Sequence, residues 1–192
     1  LSAMQYYAFV MKHRDYKYVM SSLTQAKPLV LMDIHQLDVN PYLLNTPEAT
    51  YDLRLGLAGA QEHDPMDYLT KCTNASPGEA GKDLWLDTVR RVFCGDADLI
   101  DYVQTIVGMA VVGKVFSEAL IISYGDGANG KSTFWNTLAR VLGNYSGMMS
   151  ADALTVGCKR NVKPEMAELK GKRLIIAAEL EEGMRLNTST VK

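Results

Sequence analysis

Few residues of this chain are of the kinds that form disulfides or bind zinc. Its 192 residues include three cysteines and three histidines. Cys72, Cys94 and Cys158 lie far apart with no C-x-x-C pair, which favours thiols in a reducing compartment over a disulfide framework. The histidines are isolated, without an H-x-x-x-H pair, so we expect neither a zinc site nor a catalytic histidine.

The chain also lacks a long apolar run and a strong charge of either sign. No segment approaches the ~20 apolar residues that a membrane-spanning helix needs, and the first residues do not form a signal peptide. The net charge is −2, so any contact with nucleic acid would have to be local. With 47 % hydrophobic and 22 % charged residues, the composition is that of an ordinary globular protein, which we expect to be soluble.

The N-terminal segment has a helical pattern. Apolar and tyrosine residues recur at helical spacing from Met4 to about Gln25. Lys27-Pro28 ends the pattern, because the residue before a proline avoids the α region. A tyrosine-rich stripe of this kind favours packing in a core or interface, and the alternative is that its rings stack on bases, as in proteins that bind single strands.

Short β segments and two helices are predicted next. Residues 82–93 form a helical pattern with one apolar side, and Asp96 is placed to cap a second helix over about 98–112. Three short apolar segments between turn residues predict strands, the first two as a possible hairpin: 42–44, 50–55 and 67–73.

The most specific pattern is Gly125-Asp-Gly-Ala-Asn-Gly-Lys-Ser132, a complete G-x-x-x-x-G-K-[ST] phosphate-binding loop. An apolar run over 119–124 precedes it and predicts a buried strand. Residues 131–142 follow it with apolar residues at helical spacing, and Gly143 would end that helix. The order strand, loop and helix is the context that this motif requires, so we expect a nucleoside triphosphate site.

Each residue type in the loop has a chemical task. Its glycines allow positive φ angles and close backbone approach, so that N–H groups and the dipole of the following helix surround the phosphates. Lys131 would reach the β- and γ-phosphates, Ser132 would coordinate Mg²⁺, and Thr133 would lie near the α-phosphate. The residues expected to bind ATP are Gly125, Asp126, Gly127, Ala128, Asn129, Gly130, Lys131, Ser132 and Thr133.

A second buried strand is predicted over 173–178, and acidic residues follow it. Ligands of a parallel sheet bind at the carboxyl ends of its strands, so these acids would lie beside the phosphate loop, in a Walker B arrangement. One carboxylate would hold Mg²⁺ through water and another would orient the attacking water; we assign Glu179 first and Glu181 second. The alternative is acids in an exposed turn. Residues 145–154 leave room for one inserted strand before 173–178.

These motifs resemble the helicase module of phage and plasmid primases, in helicase superfamily 3. Upstream of the loop, residues from about 40 onward are similar to the domain that precedes the motor in that family. The resemblance rests on Tyr124-Gly-Asp-Gly-Ala-Asn-Gly-Lys-Ser-Thr133, on Leu169-Lys-Gly-Lys-Arg-Leu174 leading into Ile175-Ile-Ala-Ala-Glu-Leu-Glu-Glu-Gly183, and on Leu186-Asn-Thr-Ser-Thr-Val-Lys192.

The resemblance implies an α/β fold, with a P-loop nucleotide-binding core of the AAA+ or RecA type. A smaller mixed α+β domain with a helical collar would precede that core. The implied divisions are an N-terminal domain over 1–80, a collar over 81–116 and the first part of the ATPase domain over 117–192.

The resemblance also implies a motor that hydrolyses ATP with Mg²⁺ in a DNA replication helicase of a phage, plasmid or mobile element. Such motors form a ring, usually a hexamer, on single-stranded DNA in the bacterial cytoplasm, and a neighbouring subunit supplies an arginine finger. Lys192 matches the start of a hairpin that contacts DNA. Because the sensor and finger positions would follow Lys192, we expect a truncated part of a longer protein. The resemblance leaves open whether this part hydrolyses ATP by itself, although nucleotide binding could survive, and it leaves open whether a primase domain precedes Leu1.

Two other functions use the same loop. A P-loop kinase of nucleotides or small molecules would need no hydrolytic glutamate, and it would transfer phosphate without responding to DNA. A nucleotide-binding structural or loader module is the other alternative. No N-K-x-D motif occurs, which argues against a guanine-specific switch.

Overall fold

The computed structural model describes residues 2–156, 158, 163–178, 183 and 185–188. The chain divides into two compact units, Leu1–Leu37 and Asp38–Lys192. Within the described residues, no helix is both long and apolar enough to cross a membrane. The domain boundaries expected at residues 80 and 116 stay predictions.

The first unit consists of two helices and two short turns. Helix α1 spans Ala3–His13, and α2 spans Tyr16–Ala26. Single 3₁₀ turns follow at Lys27–Val30 and Ile34–Gln36. None of the described side chains of this unit is fully buried.

The helical pattern predicted from Met4 to about Gln25 is confirmed, but as two helices, because the segment breaks after α1. Arg14 ends α1, and Asp15 has an extended backbone with φ −64° and ψ 141° before α2 begins. Apolar residues continue at helical spacing on both sides of the break, so periodicity alone does not reveal the turn.

The second unit begins with a small antiparallel sheet. Its strands β1 (Leu43–Asn45), β2 (Thr50–Asp52) and β3 (Ala60–Gln61) pair in that order, with Leu44 opposite Tyr51. The predicted hairpin of the first two strands is thereby confirmed.

The strand predicted over 67–73 is wrong. The segment begins at the end of a 3₁₀ turn, Pro65–Asp67, and continues without regular structure. Its backbone hydrogen bonds go to separate partners: Tyr68 accepts from the Asp38 N–H, and Thr73 donates to Asn45. Apolar spacing was the only signal for a strand, and spacing does not show whether a neighbouring strand is available.

Two helices follow, as the sequence predicts. Helix α3 spans Lys82–Val92 and α4 spans Ala97–Val111. The carboxylate of Asp96 accepts a hydrogen bond from the Leu99 N–H at 3.0 Å, which confirms it as the cap of α4.

The C-terminal part of this unit contains a parallel strand pair. The predicted helix after the loop is confirmed as α5, Lys131–Leu142, and the predicted strand as β5, Leu174–Ala178. The inserted strand is also confirmed as β4, Ser146–Ser150, which pairs in parallel with β5. Between β4 and β5 lie a 3₁₀ turn, Ala151–Leu154, and the short helix α6, Lys163–Glu168.

The buried strand predicted over 119–124 is wrong. This segment has no regular secondary structure, and no strand of the described chain pairs with it. Ile122 is 63 % exposed and Tyr124 is 90 % exposed. A strand forms only where a partner satisfies its backbone groups, and a sequence run does not supply that partner.

The core of the second unit joins elements distant in sequence. Leu44 of β1, Leu142 of α5 and Tyr145 are buried together. Partly buried side chains of β2, α4, β5 and the segment after β2 pack against them: Tyr51, Leu53, Val111 and Leu174. Tyr145 is only 1 % exposed, so the turn after α5 lies at the centre of this core.

Candidate functional site

The phosphate-loop motif forms a tight turn that leads directly into a helix. Gly125 and Gly130 have φ angles of 141° and 85°, which favour glycine, and Gly130 is the residue before the first turn of α5. The third expected positive φ is at Ala128, with φ 58°, and not at Gly127. A Cβ atom at Gly127 would have open space around it, whereas one at Gly125 would lie 2.7 Å from Nδ2 of Asn129.

Lys131 is folded back onto the loop. Its ammonium donates to the carbonyl oxygens of Gly125 at 2.7 Å and Asp126 at 3.0 Å, and to Oδ1 of Asn129 at 2.8 Å. These three acceptors match the three N–H donors of the ammonium. An arriving phosphate would replace a neutral acceptor with an anionic one, and a charge-assisted hydrogen bond is the stronger of the two.

The first turn of α5 leaves polar groups open to a ligand. The hydroxyls of Ser132 and Thr133 are exposed and donate to no acceptor in the described part of the chain. The backbone N–H groups of the same two residues belong to the first turn, where a helix supplies no acceptor of its own. These N–H groups, the hydroxyls and Lys131 suit a phosphate chain with Mg²⁺, because the donors and the helix dipole favour the anion and a hydroxyl oxygen suits the metal.

Helix α3 supports the loop from behind. A Cβ atom on Gly130 would lie 2.7 Å from Cγ2 of Val92, so the loop backbone approaches α3 closely at that position. The ring of Phe134, 4 % exposed, stacks on Trp85 with ring centroids 5.5 Å apart and meets Phe93 edge-on at 5.2 Å. These contacts fix the helix that presents Lys131.

The far end of α5 is fixed by a loop from the small sheet region. The side-chain amide of Asn74 donates to the Arg140 carbonyl at 2.8 Å, and the Asn74 backbone donates to Val141 at 2.9 Å. Gly143 ends the helix with φ 54°, which confirms the predicted C-cap. A Cβ atom there would lie 2.8 Å from the Cys72 carbonyl oxygen.

Helix α5 connects closely to the parallel strand pair. The three-residue turn Gly143–Tyr145 joins α5 to β4, and α5 packs against both β4 and β5. Ala178, the last residue of β5, directly precedes Glu179 in the sequence.

Three predicted residues have no described position. Glu179, Glu181 and Lys192 lie outside the described residues, so their roles stay predictions. Among the residues whose positions are known, no group of three His, Cys, Asp or Glu side chains could hold a metal ion. Cys72, Cys94 and Cys158 form no disulfide.

One known family model matches just under half of the chain. Residues 1–94 match the D5 N terminal like family model. This domain is the N-terminal domain of primase-helicase proteins of phages and plasmids, so the match indicates a replication protein of that type. A search among curated proteins gives no match to this chain.

The D5-like domain ends just after α3, the helix that lies behind the phosphate loop. Its last residues therefore include Trp85, Val92 and Phe93, which contact Gly130 and Phe134. The match ends before the loop at residues 125–132, so the family comparison does not test a nucleotide site there. The evidence for such a site is the sequence motif and the geometry of the loop.

Sequence reasoning missed the residues that support the site from a distance. Asn74, Trp85 and Val92 precede the loop helix by tens of residues, and no local motif marks them. Asn129 was expected to bind ATP, but its contact with Lys131 was not predicted: its side-chain oxygen accepts a hydrogen bond from the Lys131 ammonium. The only local signal that α5 packs closely against another element was Gly130, followed by a helix whose fourth residue, Phe134, is aromatic.

Proposed function

We propose that this chain binds ATP and Mg²⁺ at residues 125–133 as part of the motor of a replicative primase-helicase. The observation that supports this most is the geometry of Lys131, whose ammonium lies within a closed loop at the start of α5. The match of residues 1–94 to a D5-like domain supports the replication context, because that domain belongs to primase-helicase proteins.

In this proposal the backbone N–H groups at the start of α5 bind the phosphates, and Lys131 neutralises the β- and γ-phosphates. Ser132 supplies one oxygen to Mg²⁺, which offsets the charge of the phosphate chain. Glu179 binds the metal through water, and Glu181 assists in orienting the attacking water. The position of Glu179 directly after β5 supports this assignment, because ligands of a parallel sheet bind at the carboxyl ends of its strands.

The proposed motor acts on single-stranded DNA as a ring of identical subunits. A ring places the nucleotide of one subunit against its neighbour, and an arginine from that neighbour would stabilise the charge that develops in the transition state. The residues that would supply this arginine are not among those described, so the ring and its number of subunits belong to the proposal.

Nucleotide binding is tested with a fluorescent ATP analogue and Mg²⁺. Lys131→Ala should weaken binding at least tenfold, because it removes the point charge that faces the phosphates. Lys170→Ala, which removes an exposed lysine outside the loop, should leave the affinity unchanged. Equal affinity of the Lys131→Ala protein and the unaltered chain would contradict the proposed site.

Hydrolysis is tested separately, with the full-length parent protein and with this chain. ATP turnover by the parent should rise with single-stranded DNA and disappear in Glu179→Gln, while binding of the ATP analogue persists. Transfer of phosphate to an acceptor, without any response to DNA, would instead indicate a kinase. Binding without turnover in the parent would indicate a structural or loader module.

A further inference from the structure

The first unit presents aromatic rings to solvent. Tyr6, Tyr7, Phe9 and Tyr16 are 62 %, 66 %, 56 % and 78 % exposed. Two helices of 11 residues with no buried side chain do not form a core by themselves, since helices of this length depend on packing for stability. Exposed rings at this density mark a surface that binds something.

Phe9 and His13 of α1 and Tyr18 of α2 form a row of neighbouring rings, in which Phe9 and His13 are exposed and Tyr18 is half-buried. The rings of Phe9 and His13 lie 4.0 Å apart between centroids, and those of His13 and Tyr18 lie 5.0 Å apart. A hydrogen bond between His13 Nδ1 and the Phe9 carbonyl, at 2.8 Å, fixes the imidazole. We call Phe9, His13 and Tyr18 the ring row.

Positive charge accompanies the ring row. Lys12, Arg14 and Lys17 are exposed at the junction of α1 and α2, and the Lys12 ammonium lies 5.3 Å from the centroid of the Tyr18 ring. We call these three residues the basic junction. The first unit, residues 1–37, contains four lysine or arginine side chains and two carboxylates, Asp15 and Asp33, although the whole chain has a net charge of −2.

We infer that the first unit binds single-stranded DNA, with bases on the ring row and phosphates at the basic junction. Aromatic rings beside cations form the general combination by which proteins bind single strands, because every base has a face that can stack and every nucleotide has a charge. A surface that docks on a protein would need the apolar contact but not the local excess of cations. The choice of DNA, and not RNA, as the single strand rests on the proposed function. The position of the binding surface rests on the rings and charges alone.

The ligand is tested with the whole chain and a fluorescein-labelled oligothymidylate of about 20 nucleotides, longer than one typical single-strand site. Anisotropy is measured without nucleotide, from about 50 to 200 mM salt. The double variant Phe9→Leu with Tyr18→Leu keeps the surface apolar and the helices intact, yet it should weaken binding at least fivefold, which is the low end for loss of a stacking ring. The matched control, Tyr102→Leu, removes a ring that is 60 % exposed on α4 and should have no effect.

The charges are tested by the triple variant Lys12→Gln, Arg14→Gln and Lys17→Gln. The slope of log affinity against log salt should become less steep by about 2, because each phosphate contact on a single strand contributes about 0.7. Lys82→Gln, a change at an exposed lysine on α3, should leave the slope as it was. Circular dichroism confirms that each variant keeps its helices.

Three outcomes overturn the inference. The first is that the unaltered chain does not bind the oligonucleotide. The second is that the double leucine variant binds it as tightly as the unaltered chain. The third is that duplex DNA of equal length binds as tightly as the single strand. Loss of self-association in the leucine variant, with DNA binding intact, would identify the surface as a protein interface. The Lys131→Ala protein, measured without nucleotide, should bind the oligonucleotide with unchanged affinity. The ATP analogue therefore tests the nucleotide site, and the oligonucleotide tests the surface of the first unit, independently of each other.

Discussion

The guanidinium of Arg173 lies over the ring of Tyr145, with its central carbon 4.3 Å from the ring centroid. The two residues are also joined through the backbone, because the Arg173 N–H donates to the Tyr145 carbonyl at 2.6 Å. Arg173 directly precedes β5, and Tyr145 directly precedes β4. The pair therefore aligns the starts of both parallel strands, and the end of β5 leads to the acidic residues that we propose for hydrolysis.

Each member of this pair reaches a further element. Arg173 donates to the carbonyl of Val111, at the end of α4, and to that of Leu43, in β1, both at 2.7 Å. The Tyr145 hydroxyl accepts from the Asn45 N–H at 3.1 Å. Burial lowers the pKa of Arg173 and raises the pKa of Tyr145. The phenol therefore stays neutral at physiological pH, and the guanidinium stays charged, because an arginine side chain remains protonated in proteins even when burial lowers its pKa.

Replacing Arg173 with lysine should destabilise the second unit by about 1–3 kcal/mol, because an ammonium cannot span the two carbonyls as a planar guanidinium does and one acceptor is left unsatisfied. Urea unfolding measures the change. Arg140→Lys, at an exposed arginine of α5, is the control and should change the unfolding free energy by less than ~0.5 kcal/mol. Equal midpoints for both variants would mean that the two carbonyl contacts contribute no stability.

Replacing Tyr145 with phenylalanine should cost about 1–2 kcal/mol, because the ring still fills its site but the Asn45 N–H loses its acceptor. Tyr102→Phe, which removes a hydroxyl from an exposed ring, should be neutral. Both are measured by chemical unfolding. A stability loss of the same size in the two variants would show that the hydroxyl of Tyr145 has no special role.

Replacing Gly143 with alanine should destabilise the protein by about 1–3 kcal/mol. The new Cβ would sit at positive φ and 2.8 Å from the Cys72 carbonyl oxygen, which is backbone and cannot move aside. Gly108→Ala is the opposite case, since this glycine lies inside α4 with open space around it, and alanine there should stabilise by roughly 0.5–1 kcal/mol. Thermal unfolding of the two variants should shift in opposite directions.

Asp38 should make stability depend on pH in the acid range. Burial by itself would raise its pKa, but hydrogen bonds from Lys71 and Thr70 hold the pKa of this carboxyl below the ordinary 3.8. The folded protein therefore binds this proton less tightly than the unfolded chain. The contribution of Asp38 is complete above the ordinary pKa and disappears as the pH falls through the lowered one.

Asp38→Asn tests this dependence. The variant should be less stable than the unaltered chain at pH 7, and the gap in unfolding free energy should narrow as the pH falls below about 4. Asp101→Asn, at an exposed carboxylate of α4, is the control and should change the unfolding free energy at pH 7 by less than ~0.5 kcal/mol. A gap that is constant with pH would mean that the ion pair of Asp38 with Lys71, at 2.8 Å, does not stabilise the fold.

Local chemistry explains which elements could be predicted. Helices α3, α4 and α5 have apolar faces at helical spacing, and Asp96 and Gly143 mark two of their ends by side-chain capping and positive φ. Strand β5 was predicted because it is a short apolar run, whereas β4 was predicted only because residues 145–154 leave room for an inserted strand. The phosphate loop was recognised for a similar reason: its chemistry needs fixed residue types at fixed spacing.

The two wrong strand predictions share one cause, which is that strand formation depends on a partner. Residues 119–124 and 67–73 look like strands, but in this structure their backbone groups do not form a ladder with another strand. The break between α1 and α2 was missed because two helices with similar faces continue one pattern. Neither kind of error could be detected from a window of neighbouring residues.

The sequence by itself determined the chemistry of the loop, because Lys131, Ser132 and the glycines around them act through residue type and backbone freedom. The tertiary structure decided what fixes that loop in place: Val92 against Gly130, Asn74 at the end of α5, and Arg173 with Tyr145 at the start of both parallel strands. These partners lie tens of residues apart along the chain. Only the folded backbone brings them within contact distance, so no local pattern could have named them.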